Sequence, residues 1–444
     1  MRHTLIRTLG FVVVFAGLVV KPALAAPEGP DPRDPRIEKI LSQISEQRIV
    51  EILHKLGSFG TRNTLSSTDS PTMGIGAARQ WIYDEMKQSS PRLQVSFDTY
   101  QVPKGGRITR DIELRNVMAV LPGRSPRRVY ISAHYDSFAA VRPPAGSPRG
   151  QAAPAGPVDN PAPGVNDDGS GTALVMELAR VFGQSGVNFD ATLVFIAFAG
   201  EEQGLIGATR HAEKMAAEHV PIEAVLNNDM VGNVQGGDTL EDSIHLRVFS
   251  EGPEDSPSRQ LARYLGRVGA KYVPTVQVTP IARYDRFGRG GDHSPFNRQG
   301  FTAVRLTEAV ENYGRQHTPA DTFDGVNVPY LLRNVKLDAA AAASLALAPP
   351  PPAVFNERGQ PTLGRQPSGY DSDLKWQASP GAVGYKVFWR SAWTPDWQHV
   401  VPVGNVTEFV LPAMSIDDYV YGVAAVGPDG NESLVSAYVN PPRR

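Results

Sequence analysis

No cysteine occurs anywhere in the 444 residues of the sequence. This absence excludes disulfide bonds and thiolate chemistry, whether in a catalytic nucleophile or in a metal ligand. Any metal ion that the protein binds must therefore be held by histidine, aspartate and glutamate side chains.

The sequence also carries little net charge, with a formal value of −2 at pH 7. Such a balance provides no basic field for a polyanion, so we expect no nucleic-acid partner. Long apolar runs are equally scarce. The apolar stretch 10–20 near the N-terminus is short for a membrane span, which needs about 20 apolar residues.

That N-terminal stretch has the order of a secretory signal: Arg2 and Arg7, then the apolar run, then the small residues "ALA" at 23–25. We predict that residues 1–26 are a signal peptide that is removed. The protein would then be secreted or periplasmic and would keep no stable membrane anchor after cleavage.

Beyond the signal, the composition divides the chain into four segments. Residues 27–44 form a Pro-rich lead, which we expect to stay outside the core. From 45 to 347, short apolar runs such as "VYISAH" and "TLVFIAF" alternate with helical patterns. This alternation predicts an α/β domain with a mostly parallel central sheet and helices on both faces. Within it, the Pro/Gly-rich stretch 141–164 predicts an irregular surface excursion.

The last two segments have a different character. Residues 348–369 are Pro-rich and predict a linker. Residues 370–444 contain short alternating strands and no helix pattern, which predicts a small all-β sandwich. The order "LKW", "GYKVFWR" and "DYVYGVAAVGPDGNES" resembles a fibronectin type III module, and the resemblance implies that Trp376 and Tyr419 lie in its core.

Acidic and histidine residues follow the predicted strands, each just after an apolar run. Ligands of such sheets bind beyond the carboxyl ends of the strands, so these side chains should converge. Several buried carboxylates cannot stay close together without a compensating cation. The residues are His134 and Asp136, Asp167 and Asp168, Glu201 and Glu202, Asp229, and His317 with Asp321.

A mixture of imidazole and carboxylate ligands suits zinc, whereas calcium favours sites made only of oxygen atoms. One carboxylate offers two oxygens and can bridge two ions about 3.5–4 Å apart. Asp167 lies centrally in the order of the motifs. We therefore expect Asp167 to bridge.

These five blocks in this order resemble the co-catalytic zinc aminopeptidases of metallopeptidase clan MH, the bacterial leucyl aminopeptidase-like family. The resemblance covers residues 45–347 and implies a binuclear metallopeptidase that acts on peptide or protein N-termini. It implies two Zn²⁺ per chain, with His134 and Asp229 on one ion, Glu202 and His317 on the other, and Asp167 shared. Glu201 matches the general base for a zinc-bridging hydroxide.

The resemblance also suggests outer residues. Asp136 would orient His134, and Asp168 would support the site from the start of a helix. Asp321 would fix the loop that carries His317 or only cap a turn. The segment "GRGGDHSPF" and its surroundings suggest substrate-pocket residues: Asp292, His293, Phe296 and Tyr313. The family's Tyr before the final His is replaced here by Gln316, which leaves the oxyanion donor unassigned.

Three alternatives remain open on the same fold. Related proteins include single-zinc glutaminyl cyclases and carboxypeptidases, which would use part or all of the same ligand set. A third possibility is a catalytically silent binding protein, although such a chain would be expected to lose a ligand or the base. All six positions are present in this sequence.

Overall fold

The computed structural model describes residues 32–140, 157–365 and 371–438. The predicted signal peptide and most of the 141–164 excursion lie outside these residues. None of the described helices combines the length and the apolarity that crossing a bilayer requires. The helices are α1 Pro35–Ser42, α2 Glu46–Ser58, α3 Gly74–Ser89, α4 Gly169–Gln184, α5 Ile206–Ala217, α6 Pro257–Tyr272, α7 His293–Arg298 and α8 Val328–Leu347, with a 3₁₀ turn at Phe323–Gly325.

An eight-stranded sheet organises the larger part of the chain, with the strand order β1-β2-β4-β3-β5-β8-β6-β7. Its central strands β4, β3, β5 and β8 are mutually parallel, while β1, β2 and β6 pair with antiparallel neighbours. The strands are β1 Gln94–Val102, β2 Ile112–Leu121, β3 Arg128–His134, β4 Thr192–Phe198, β5 Ile222–Asn228, β6 His245–Ser250, β7 Gln277–Ile281 and β8 Ala303–Glu308.

The central strands are apolar on both faces because helices cover both faces. In β3, Val129 and Ile131 join the larger hydrophobic cluster with α4 and α8. Tyr130 points to the other face, where it packs with Phe198 and with Ala208 of α5. Successive side chains of a strand alternate between faces, so a continuous buried run requires two covers. The predicted α/β class and mostly parallel sheet are confirmed.

The C-terminal residues form two antiparallel sheets, with the orders β13-β10-β9 and β12-β11-β14-β15. Trp376 and Tyr421 lie in their shared core. Tyr419 is only partly buried, so the aromatic expected in the core at 419 is instead Tyr421, two residues further along the same strand. The strands are β9 Leu363–Arg365, β10 Ser372–Lys375, β11 Gly384–Ser391, β12 His399–Gly404, β13 Glu408–Leu411, β14 Tyr419–Val426 and β15 Ser436–Ala437.

Two segments expected to lie outside any core contribute to one. Helix α1 falls within the 27–44 lead, yet Ile37 and Ile40 are fully buried. Asp34 caps this helix by accepting from the Arg36 amide, and Pro35 suits its first turn. Strand β9 falls within the predicted 348–369 linker, where Leu363 is buried. In both segments prolines border short apolar pieces that pack.

The C-terminal sheets contact the start of α6. Arg390 makes two 2.8 Å hydrogen bonds to Asp255, and the Trp397 indole donates to Gln260. Strand β6 runs antiparallel to β8 and ends where β8 begins. The loop after β6, which contains Asp255, therefore lies at the sheet edge opposite the carboxyl ends of the parallel strands.

Candidate metal centre

Three neighbouring parallel strands deliver the predicted residues to one edge of the sheet. Strand β3 ends at His134, β5 ends just before Asp229, and β4 ends three residues before Glu201. The carboxyl ends of parallel neighbours lie side by side, so the apolar runs that build the strands also gather these polar groups. His317 reaches the same place from the loop that follows β8.

Asp167 stands between two imidazoles. Its Oδ1 is 3.3 Å from His134 Nε2, and its Oδ2 is 3.1 Å from His317 Nε2. Asp229 Oδ1 lies 3.8 Å from His134 Nε2, and Glu202 Oε2 lies 3.2 Å from His317 Nε2. The five side chains thus form two imidazole–carboxylate pairs that share one carboxylate.

These distances fit a pair of zinc ions. Two ligand atoms about 2.0 Å from a tetrahedral zinc ion are about 3.3 Å apart. Three of the four separations, 3.3, 3.1 and 3.2 Å, are close to that value, and the separation of Asp229 Oδ1 from His134 Nε2 is longer, at 3.8 Å. In addition, Glu202 Oε1 is buried without a hydrogen-bond partner among the described residues. Buried polar atoms normally have a partner, and a metal ion would provide one.

The charge distribution also favours a cation. Burial lowers the pKa of His134, but Asp136, Asp167 and Asp229 outweigh burial and hold it well above its ordinary value. Burial likewise opposes the charged form of His317, yet Glu202 and Asp167 raise its pKa to about 11. Both imidazole positions therefore attract positive charge strongly, which a bound metal would supply.

Asp168 is close to His134 and Asp229, but its oxygens are already engaged. Its Oδ2 accepts from the His134 amide at 3.1 Å, and its Oδ1 accepts from the Gly171 and Met230 amides. These bonds cap α4 and tie it to the ends of β3 and β5. Asp168 thus holds the ends of both strands against α4, and each of its oxygens accepts at least one backbone amide.

Asp136 holds the segment that carries both glutamates. Its Oδ1 accepts from the Glu201 amide at 3.2 Å, and its Oδ2 accepts from the Glu202 amide at 3.3 Å. The bond to His134 differs from the expected one. His134 Nδ1 lies 3.1 Å from the backbone oxygen of Asp136 and 3.6 Å from its carboxylate. Asp136 therefore orients the imidazole chiefly through its main chain.

Asp321 does not fix the His317 loop through its side chain. Its carboxylate accepts from the Asn166 amide at 3.0 Å and from the Asp167 amide at 2.9 Å. This buried side chain thus fixes the backbone that carries Asp167. Since 154 residues separate Asp321 from Asp167, the sequence pattern gave no sign of the pairing.

Glu201 lies beside the metal-ligand candidates, whose charges act on it. Burial raises its pKa well above the ordinary value, and Asp229 and Glu202 add to the rise while His134 opposes it. The side chain is partly exposed. A carboxylate with a raised pKa at the open side of such a cluster is placed to take up a proton.

The four predicted substrate-pocket residues differ in their burial and in their contacts. Phe296 is fully buried in the cluster with Tyr130 and Phe198, so its assignment to the pocket wall is wrong. His293 is also fully buried, and its Nε2 lies 2.9 Å from the backbone oxygen of Tyr284. Asp292 is buried, and its oxygens have no hydrogen-bond partner among the described residues. Tyr313 is 68% exposed.

Arg62 is a site residue that the sequence analysis missed. Its guanidinium is fully buried and donates to four backbone oxygens: Tyr135 at 2.7 Å, Leu56 at 3.2 Å, Gly164 at 2.8 Å, and Pro163. Burial lowers its pKa to about 10. The side chain joins the segment after His134 to the segment before Asp167, so it sets the distance between two ligand candidates.

We expect Arg62→Lys to weaken zinc binding about tenfold, because outer partners of metal ligands contribute roughly that much. Lysine keeps the charge but cannot reach several carbonyls with a planar fork. Zinc affinity measured by competition with a chromophoric chelator checks this. Arg124→Lys, at an exposed ion pair with Asp190, is the control. Equal zinc affinity in both variants would contradict the role of Arg62.

Two further polar contacts reach the ligand candidates. Arg305, fully buried, lies 2.9 Å from Asp229 Oδ2, which leaves Oδ1 facing His134. Gln316, at the position where some family members have Tyr, donates from Nε2 to Asp167 Oδ2 at 2.8 Å. Gln316 therefore steadies the shared carboxylate.

The chain is similar in sequence to zinc metalloproteases and in fold to aminopeptidases and glutaminyl cyclases. The sequence profile of Peptidase family M28 matches residues 116–342. A probable zinc metalloprotease of Pyricularia oryzae is 35% identical over 90% of this chain and 84% of its own length. Among solved structures, the LapA aminopeptidase of Legionella pneumophila aligns with a TM-score of 0.54 at 22% identity, covering 72% of this chain and 78% of the other. A glutaminyl cyclase of Macrostomum lignano aligns with a TM-score of 0.53 at 16% identity, covering 72% and 94%.

Proposed function

Because the chain belongs to peptidase family M28 and is a zinc metallopeptidase, we propose that it is a two-zinc aminopeptidase that removes the N-terminal residue of peptides. The observation that carries the proposal is the position of Asp167. Each of its oxygens faces a different imidazole, and each imidazole has its own second carboxylate.

In this proposal His134 and Asp229 would hold one zinc ion, Glu202 and His317 would hold the other, and Asp167 would contribute to both. Zinc in such a site polarises the peptide carbonyl and makes water acidic near neutral pH. Glu201 takes the proton of the attacking water and returns it to the amine of the departing peptide. Asp136 keeps the two glutamates in place through their amides.

Arg107 and Phe138 pack over the part of the site that contains Glu202 and His317, and this supports cleavage near a chain end. Arg107, from the connection between β1 and β2, donates to the Glu202 backbone oxygen at 2.7 Å and lies over the Phe138 ring. Phe138 in turn packs edge-on against His317. A site covered on this side favours a substrate that ends there over one that passes through.

The C-terminal sheets, which we assign to a fibronectin type III-like module, lie away from the site. They contact the start of α6 at the opposite sheet edge, so we propose a stabilising role for them and no part in catalysis. The signal-like residues 1–26 support export of the protein, with action outside the cytoplasm.

Metal analysis combined with a substrate panel tests the proposal. We expect two zinc ions per chain and chelator-sensitive hydrolysis of aminoacyl anilides. One ion per chain with cyclisation of N-terminal Gln would establish the glutaminyl cyclase alternative. Release of C-terminal residues would establish a carboxypeptidase, and binding without turnover across the panel would establish a silent binding protein.

A further inference from the structure

Three arginines converge on one buried glutamate near the proposed metal centre. Glu311 follows the end of β8 by three residues, and its side chain is 3% exposed. Arg247 lies 2.7 Å from its Oε1, while Arg286 and Arg289 lie 2.7 Å and 3.3 Å from its Oε2. A single carboxylate cannot neutralise three guanidinium groups, so this cluster carries net positive charge.

The cluster continues to the metal-ligand candidates. The residue after Arg289 is Gly290, whose backbone oxygen accepts from Arg305 Nη1 at 3.4 Å. Arg305 Nη2 lies 2.9 Å from Asp229 Oδ2. The guanidinium groups of the cluster, now including Arg305, thus share two carboxylates, Glu311 and Asp285. Asp229 is a third carboxylate beside Arg305, but it is itself a proposed metal ligand. Little carboxylate charge remains for Arg289.

The side chain of Arg289 has fewer hydrogen-bond partners among the described residues than those of Arg247 and Arg286 have. Arg286 also contacts Asp285, and Arg247 also donates to the Glu308 backbone oxygen at 2.9 Å. Within the described residues, the side chain of Arg289 makes one hydrogen bond, to Glu311, and is 33% exposed. Most of its donors are therefore available to a ligand.

Arg289 is connected to the site through Gly290 and Arg305, and it also feels the charge of two ligand candidates. Burial lowers its pKa, but Glu311 and then Asp167 and Asp229 outweigh burial and raise it. With zinc bound, Asp167 and Asp229 would no longer compensate Arg289. Its guanidinium would keep Glu311 as a partner and, being 33% exposed, would be accessible to a second anion. Its planar fork matches a carboxylate.

We propose that Arg289 binds a carboxylate of the substrate, so that the enzyme selects peptides with acidic character next to the cleaved bond. This inference rests on the proposed aminopeptidase function. The carboxylate has two possible sources: the side chain of an N-terminal Asp or Glu, or the free C-terminus of a dipeptide. Basic side chains at the same position would be repelled by the cluster.

Two matched substrate pairs test the inference and separate the sources. If the carboxylate belongs to the N-terminal side chain, we expect the wild-type zinc protein to prefer Glu-p-nitroanilide to Gln-p-nitroanilide. If it is the C-terminus of a dipeptide, we expect a preference for Ala-Ala over Ala-Ala amide. In either case the kcat/KM values of the pair should differ about tenfold, as one partly exposed ion pair allows. Arg289→Gln should abolish that preference, so that the two members of the pair are hydrolysed with similar kcat/KM. Arg289→Lys should retain part of the preference, since it keeps the charge without the fork.

Arg298→Gln is the control variant, because Arg298 is an exposed arginine at the end of α7 outside the cluster, and it should keep the preference. Affinities measured by calorimetry provide a readout apart from turnover, with L-glutamate expected to bind more tightly than L-glutamine only while Arg289 is present. A wild-type protein without preference in either pair would overturn the inference, whatever the variants do. If no substrate is hydrolysed, the proposed function fails. The inference about Arg289 is then decided by calorimetry alone, from whether the carboxylate member of each pair binds more tightly than the neutral member.

Discussion

Glu201→Gln is expected to bind zinc as the wild type does and to lose about a thousandfold in kcat, within the range that a positioned acid–base group contributes. Glutamine has the shape of glutamate but cannot take a proton. The Glu201 backbone stays fixed because its amide donates to Asp136, and glutamine has nearly the same size as glutamate. The change should therefore affect proton transfer alone.

The matched control is the neighbouring variant Glu202→Gln. Glu202 Oε2 lies 3.2 Å from His317 Nε2, and Oε1 has no other partner in the described part of the chain. This variant should lose zinc from one position. Turnover by Glu201→Gln at a rate near that of the wild type, with zinc in place, would remove Glu201 from the role of base.

Asp167→Asn is expected to have the largest effect on the metal. Asp167 places Oδ1 3.3 Å from the His134 imidazole and Oδ2 3.1 Å from the His317 imidazole. An amide offers one weak oxygen ligand and no negative charge. We expect zinc affinity at both positions to fall by more than a hundredfold, beyond the roughly 10–100-fold effects of outer partners, and turnover to be lost with the metal.

Zinc content after dialysis and zinc affinity by competition measure this effect. Asp190→Asn, which changes a partly exposed aspartate paired with Arg124, should leave both quantities unchanged. If Asp167→Asn lost only one of two zinc ions, Asp167 would belong to a single position, and the shared-carboxylate geometry would not describe the bound state.

His134, Asp229 and the two glutamates could be predicted from the sequence because each lies at the end of a buried strand or a few residues after it. The parallel sheet then brings the strand ends together without further information. Residue type completes the argument, since two imidazoles among carboxylates favour zinc. Local order and chemistry were sufficient for His134, Asp229 and the glutamate pair.

The supporting residues could not be predicted in the same way, because their partners are distant in sequence. Arg62 contacts the Gly164 oxygen across 102 residues, and Asp321 contacts the Asp167 amide across 154. Neither contact leaves a periodic or spaced pattern. Phe296 shows the converse error, since a residue within a family-like segment was assigned to a pocket while its apolar ring packs in the core.

The irregular segments were misjudged for a related reason. Proline richness predicts an extended chain, but it does not exclude a short amphipathic piece. Ile37 and Ile40 share one face of α1, and Leu363 points into the C-terminal core. Whether such pieces pack depends on the surface that the rest of the fold presents, which composition does not encode.

Titration of the metal-free protein with zinc, followed by turnover of an aminoacyl anilide, tests the central claim most directly. Two imidazole–carboxylate pairs joined by Asp167 predict that activity rises until two equivalents of zinc are bound. Full activity at one equivalent, with the second ion bound but without effect, would contradict a catalytic centre built from both pairs.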